Sequence, residues 1–119
     1  MNLNGYRPVI LWALVIFCLH IIPSDKIPNP PDWNFSVDKL VHFFLFAVLG
    51  FLLLRTYAEH RNKQSYGIFF VAIISIIFGL LMETIQIMVP GRDYNLVDLI
   101  SDGAGAVFGC LVFVVVIRL

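Results

Sequence analysis

Four long apolar runs divide this sequence, and they leave few ways for the chain to fold. Val9–Ile22, Leu40–Tyr57, Tyr66–Val89 and Val97–Ile117 are 14 to 24 residues long and carry few charges. A membrane helix needs about 20 mostly apolar residues at 1.5 Å rise each. The last three runs meet that length. The first meets it only when extended back to Tyr6. No strand-like alternation of more than a few residues interrupts them. The sequence therefore predicts an all-α, polytopic transmembrane bundle of four helices over about residues 6–22, 40–57, 66–89 and 97–117. It reads as one domain over residues 1–119. Composition excludes the other classes. Sixty per cent of the 119 residues are hydrophobic, 13% are charged, and mean hydropathy is +0.89. A water-soluble domain this small has too little interior for that apolar load. Disordered chains are polar and charged. Eight basic residues balance eight acidic ones, which leaves no basic face for nucleic acid.

The connections agree with these boundaries. Pro23, Pro28, Pro30 and Pro31 break the first one. Trp12, Trp33 and Phe35 are candidate anchors at the membrane interface. Ala58–Ser65 is short and polar, and Pro90-Gly91 stops the third helix. Only about six residues then lead to the fourth, so helices three and four form an antiparallel hairpin. The first run could instead serve as a signal peptide. The sequence after it, Ile21-Ile22-Pro23-Ser24-Asp25, lacks a small-residue cleavage site, which favours a retained helix. Four spans place Arg7, Arg55, Arg61, Lys63 and Arg118 on one side and Lys26, Lys39 and Arg92 on the other. The positive-inside rule then puts both termini in the cytoplasm. Cys18 and Cys110 lie within apolar runs, without a Cys-x-x-Cys pair, and read as small buried hydrophobes.

Ionisable residues inside spans are costly, roughly 2.5–3.5 kcal/mol each at a helix centre, and here they cluster. Helix two opens with Asp38, Lys39 and His42, with Asp38 and His42 sharing a face at i, i+4. Helix three carries Glu83 and Gln86 near its end, and Gly79 and Ser75 continue that face inward. Helix four opens with Asp98, Ser101 and Asp102, followed by Gly105 and Gly109 at a small-xxx-small spacing. The loop between them supplies Arg92 and Asp93. All of these fall at the outward end of the bundle. They predict a partly submerged polar pocket lined by His42, Glu83, Gln86, Asp98 and Asp102, with Arg92 reaching over it. Three carboxylates against Arg92 and Lys39 leave an excess of acid that a proton or entering water must compensate. Helix capping accounts for Asp38 and contributes at Asp98. It fails for Glu83, an acid near a helix C-terminus. His20 and His60 read as incidental.

Three segments resemble the VanZ-like membrane family. Val37-Asp38-Lys39-Leu40-Val41-His42-Phe43-Phe44 is similar to its Asp-Lys-x-x-His opening. Glu83-Thr84-Ile85-Gln86-Ile87-Met88-Val89-Pro90-Gly91-Arg92 resembles its Glu-x-x-Gln-x-x-x-Pro-x-Arg signature. Val97–Ala106, with Gly109 following, resembles its Asp-x-x-x-Asn-x-x-Gly-Ala segment, with Asp102 where the family usually shows Asn. The resemblance covers about Val37–Val116. It implies a small polytopic protein of the bacterial inner membrane whose recurrent polar residues are Asp38, Lys39, His42, Glu83, Gln86, Arg92 and Asp98. The family's namesake is linked to teicoplanin resistance.

Three functions compete at this stage. In the first, the pocket, lined also by Asp102, binds a polar headgroup: Lys39 and Arg92 hold phosphate or carboxylate, and Glu83, Gln86 and Asp98 take hydroxyl and amide donors. Membrane lipids and a lipid-linked or glycopeptide ligand are then the partners, and Gly105 and Gly109 offer a surface for oligomerisation. In the second, an intramembrane enzyme uses His42 as general base oriented by Asp38, with Glu83 or Asp102 as acid and Arg92 on an oxyanion. The third, an ion or proton pathway, ranks last because polar residues stop near Ser75. A metal variant using His42, Glu83 and Asp102 has too few histidines, so the sequence calls for no metal and no cofactor.

Overall fold

The structure is a computed structural model that describes residues 3–21, 35–60, 64–88 and 96–118. The side chains of residues 35–38 lie outside the description. A 3-10 turn over Leu3–Tyr6 leads into four α-helices: α1 (Arg7–Ile21), α2 (Phe35–His60), α3 (Gln64–Ile87) and α4 (Leu96–Arg118). There are no strands among the described residues. The expected all-helical bundle is what the chain forms. Three helices are long and apolar enough to cross a membrane, through Lys39–Ala58, Gly67–Ile87 and Leu96–Val116.

The first helix is the short one. Its 15 residues reach only ~22 Å at 1.5 Å each, less than the ~30 Å hydrocarbon core. The 3-10 turn continues the rod, and Thr56 Oγ1 ties it to α2 by donating to Gly5 O at 3.0 Å. Helix α2 outruns its apolar stretch at both ends. Hydropathy marks the lipid boundary, but Asp38-Lys39 and Ala58-Glu59-His60 contain no helix breaker, so the helix continues into polar sequence. Helix α3 stops two residues before the expected Val89. Met88 N donates to Ile85 O at 3.0 Å in a closing turn, and Pro90 disfavours helical geometry at the residue before it.

The helices alternate in direction. Opposed pairs along α1 and α2 run from Gly5–Thr56 to His20–His42, so these two are antiparallel. Helices α2 and α4 run parallel, with Lys39 beside Asp98, His42 beside Asp102 and Gly50 beside Cys110. Helices α3 and α4 are antiparallel, as expected for a hairpin: Gly79 lies against Asp102 and Ile76 against Gly103. Among the described residues α1 and α4 make no contact; each packs on α2 and α3.

The α2–α4 seam is the tightest in the molecule, and glycine makes it so. A Cβ on Gly105 would overlap the carbonyl of Phe43, one on Gly109 that of Ala47, and one on Gly50 that of Ala106. The close approach that Gly105 and Gly109 allow is therefore to α2 of the same chain. Trp12 is drawn into the bundle, where its Nε1 donates to Leu45 O at 2.8 Å. An indole N–H among apolar helices needs an acceptor, and a helix carbonyl has a second lone pair to offer. The bland reading of the cysteines holds for Cys110, which is buried; Cys18 faces outward.

Candidate functional site

The interior of this bundle is polar at one end and the exterior is apolar. Phe69, Met88, Leu11, Ile77 and Ile100 are all more than half exposed, whereas His20, His42, Glu83, Gln86, Asp98 and Asp102 are buried. That inversion is stable only against lipid, where apolar surface carries no penalty and polar groups must satisfy each other. Alternation of the helices brings the C-terminal ends of α1 and α3 to the N-terminal ends of α2 and α4. His20 is one residue from the end of α1. Glu83 is four from the end of α3, ~6 Å deep, and Asp102 six from the start of α4, ~9 Å deep.

Each helix presents its polar residues by periodicity. On α3 the buried positions Val71, Ser75, Gly79, Met82, Glu83 and Gln86 follow the helical repeat and face the core. Gly79 makes room for the acid opposite: a Cβ there would sit 2.9 Å from Asp102 Oδ2. On α4, Asp98 and Asp102 lie one turn apart on the buried face. Asp98, in the first turn, also faces the positive end of the helix dipole.

The contacts form two layers. Nearer the helix ends, the Lys39 ammonium pairs with Asp98 Oδ1, with 13% and 7% of the two side chains exposed. Beneath, His42 Nδ1 lies 2.8 Å from Asp102 Oδ1 and donates to that carboxylate. Glu83 Oε1 is 3.9 Å from the same nitrogen, and Asp98 Oδ2 is 3.8 Å from Nε2. Glu83 and Asp102 are fully buried. The cluster is thus a packed network around one imidazole rather than a set of separate caps. Three carboxyl groups surround His42, and each gains from its positive edge or its charge when protonated.

Of the residues singled out from sequence, Lys39, His42, Glu83, Asp98 and Asp102 come together in this network. Gln86 is buried one turn from Glu83 on the same helix. Asp38 belongs to α2, but its side chain lies outside the described residues, as does Arg92 altogether. Among the described side chains, the acid within hydrogen-bond distance of His42 is Asp102. Sequence reasoning missed His20. It is 3% exposed, and its ring meets that of His42 edge-on, with centroids 5.1 Å apart and planes at 84°. Its Nδ1 is 2.7 Å from Ile16 O, which fixes the ring. One signal was available: His20 stands in the last turn of α1, at the same end of the bundle as the acids.

The VanZ/LLP1 family model matches residues 8–117, which includes α1 as well as the three helices that carry the quoted motifs. No curated protein and no solved structure matches the chain.

Proposed function

The chain belongs to the VanZ/LLP1 family, and from that premise we propose that it is a bacterial envelope protein whose buried polar cluster receives the headgroup of an amphiphile. The observation that carries this reading is the Lys39–Asp98 pair, at the outer layer of a charged network within an apolar bundle. The Lys39 ammonium can take up an anionic headgroup provided that Asp98, which it then releases, gains a proton or turns to His42 Nε2, 3.8 Å away. Arg92, six residues before Asp98, adds a guanidinium suited to phosphate or carboxylate. His42, Glu83 and Gln86 form the floor and accept or donate hydrogen bonds to hydroxyl and amide groups. The same α2–α4 seam continues inward as an apolar groove lined by Ala47, Val48, Phe51, Phe108, Gly109 and Val112. It starts ~12 Å along α2 from Lys39, a position suited to an acyl chain.

The cluster faces outward in the topology that the basic residues favour, which makes a cell-wall lipid precursor or a lipoglycopeptide the ligand class. A contribution to teicoplanin resistance follows from binding at that surface. The test is lipid and teicoplanin binding by the purified protein in nanodiscs, using wild type, Glu83→Gln and Arg92→Ala. Each variant is expected to weaken binding by about tenfold or more, equal to one charge-assisted hydrogen bond of 1.5–3 kcal/mol. Unchanged binding in both sinks the proposal.

The short His42–Asp102 contact supports a second reading, an enzyme acting on an envelope lipid. His42 is the general base, Asp102 fixes its tautomer, and Glu83 is the acid. Turnover of an envelope lipid that is lost in His42→Ala, with binding retained, selects this reading over binding alone.

A further inference from the structure

His20 converts the network from one imidazole to two, and this changes its chemistry. His20, His42 and Glu83 each offer a ligand atom, all three residues are buried, and those atoms lie within 4.8 Å of one another. Ligands at about 2.0–2.2 Å from a tetrahedral zinc ion lie roughly 3.3 Å apart, so small side-chain rotations close the set. The geometry points to a binding site for a divalent transition-metal ion at His20, His42 and Glu83.

Three further features support it. His20 Nδ1 is engaged by the Ile16 carbonyl, which places the proton there and leaves Nε2 as the coordinating nitrogen. Metal-bound histidines characteristically donate their other N–H to a carbonyl or carboxylate. At His42, Asp102 Oδ1 is 2.8 Å and Glu83 Oε1 3.9 Å from Nδ1, and Asp98 Oδ2 is 3.8 Å from Nε2, so either ring nitrogen has a carboxylate to receive its proton when the other coordinates. Charge balance agrees as well. Among the described residues, Glu83, Asp98 and Asp102 face one ammonium, Lys39. When all are ionised, the excess of two negative charges is what a divalent cation cancels. Two imidazoles and one carboxylate form a donor set suited to zinc or ferrous iron and poorly suited to magnesium or calcium, which prefer oxygen alone. Three protein ligands leave a coordination position open, and the Lys39–Asp98 layer lies above it.

This site shares His42 and Glu83 with the headgroup reading but does not rest on it, because it is tested with metal alone. The detergent-purified protein is stripped with a chelator and titrated with zinc chloride against a chromophoric competitor. One equivalent is expected to bind in the wild type and in His60→Ala. His20→Ala and Glu83→Gln are each expected to lose a factor of about 100 or more, at least the loss caused by removing an outer-shell partner. X-ray absorption on the zinc-loaded wild type, which does not depend on the variants folding, is expected to show two imidazoles at the metal. Absence of stoichiometric binding, binding unchanged in His20→Ala, or a zinc shell with fewer than two imidazoles overturns the assignment.

Discussion

Glu83 and Asp102 are fully buried carboxyl groups, and their persistence depends on their neighbours. A lone ionised carboxylate in an apolar interior is far more costly than any single contact can offset. Here both acids face Nδ1 of the His42 imidazole, and Gly79 gives Asp102 the space to approach α3. Removing one partner should then cost more than removing the charge. Asp102→Asn keeps an oxygen that can accept from His42 and is expected to stay within about 1 kcal/mol of wild type, whereas Asp102→Leu leaves the imidazole unsatisfied and costs ~1–3 kcal/mol. Unfolding in detergent measures both, and equal stability of the two variants would mean that the contact carries no weight. Lys39→Met strands Asp98 in the outer layer and is expected to destabilise by ~3–5 kcal/mol, the cost of breaking a buried pair. Restoring neutrality with Lys39→Met plus Asp98→Asn should recover most of that loss. Failure to recover would show that the two side chains act independently.

Helices α2 and α4 meet without being neighbours in the chain. Between lipid-soluble helices, association rests on close packing rather than on expulsion of water, and glycines allow it. Gly50, Gly105 and Gly109 each place backbone against backbone at that seam. Cys110 reinforces it through a weak Sγ–H bond to Gly50 O at 3.7 Å, as does the ring contact of Phe51 with Phe113, centroids 5.4 Å apart. A side chain at Gly109 must push α4 away from α2, and the displacement reaches the site two turns off. Gly109→Leu is expected to lower the unfolding temperature sharply and to weaken binding at Lys39 and Asp98. Gly103→Ala is the control. Its Cβ would meet the Ile76 side chain, with Cγ1 at 3.3 Å and Cδ1 at 3.7 Å, which gives way by a few tenths of an ångström, so a change of no more than about 1 kcal/mol is expected, the size of the helix preference for Ala over Gly. Matching effects at the two positions would contradict the described seam.

The molecule as a whole is an apolar-surfaced bundle whose buried acids and histidines, among the described residues, gather at one end. That asymmetry makes orientation the decisive question, since the end that carries the cluster determines which face of the membrane it serves. The basic residues favour the outer face. In a background lacking Cys18 and Cys110, single cysteines at Asn29 and at Lys63 report on the two sides. A membrane-impermeant maleimide on intact cells is expected to label the first and spare the second. The reverse pattern turns the cluster toward the cytoplasm and removes cell-wall ligands from consideration.

The sequence by itself determined the elements and their polar faces. Long apolar runs dictate helices, because backbone groups in lipid must bond internally. The 3.6-residue repeat places Glu83 with Gln86 and Asp98 with Asp102 without reference to the rest of the fold. Helix ends were harder to read at Phe35 and His60, where hydropathy falls before helical geometry does. Pairing across the chain was not encoded locally. The parallel α2–α4 seam, the role of Trp12 and the edge-on contact of His20 with His42 depend on which faces meet once the four helices pack. A single histidine on an apolar helix has no periodic companion to mark it. Only the approach of α1 to α2 and α3 turns it from an isolated residue into the second imidazole of the site.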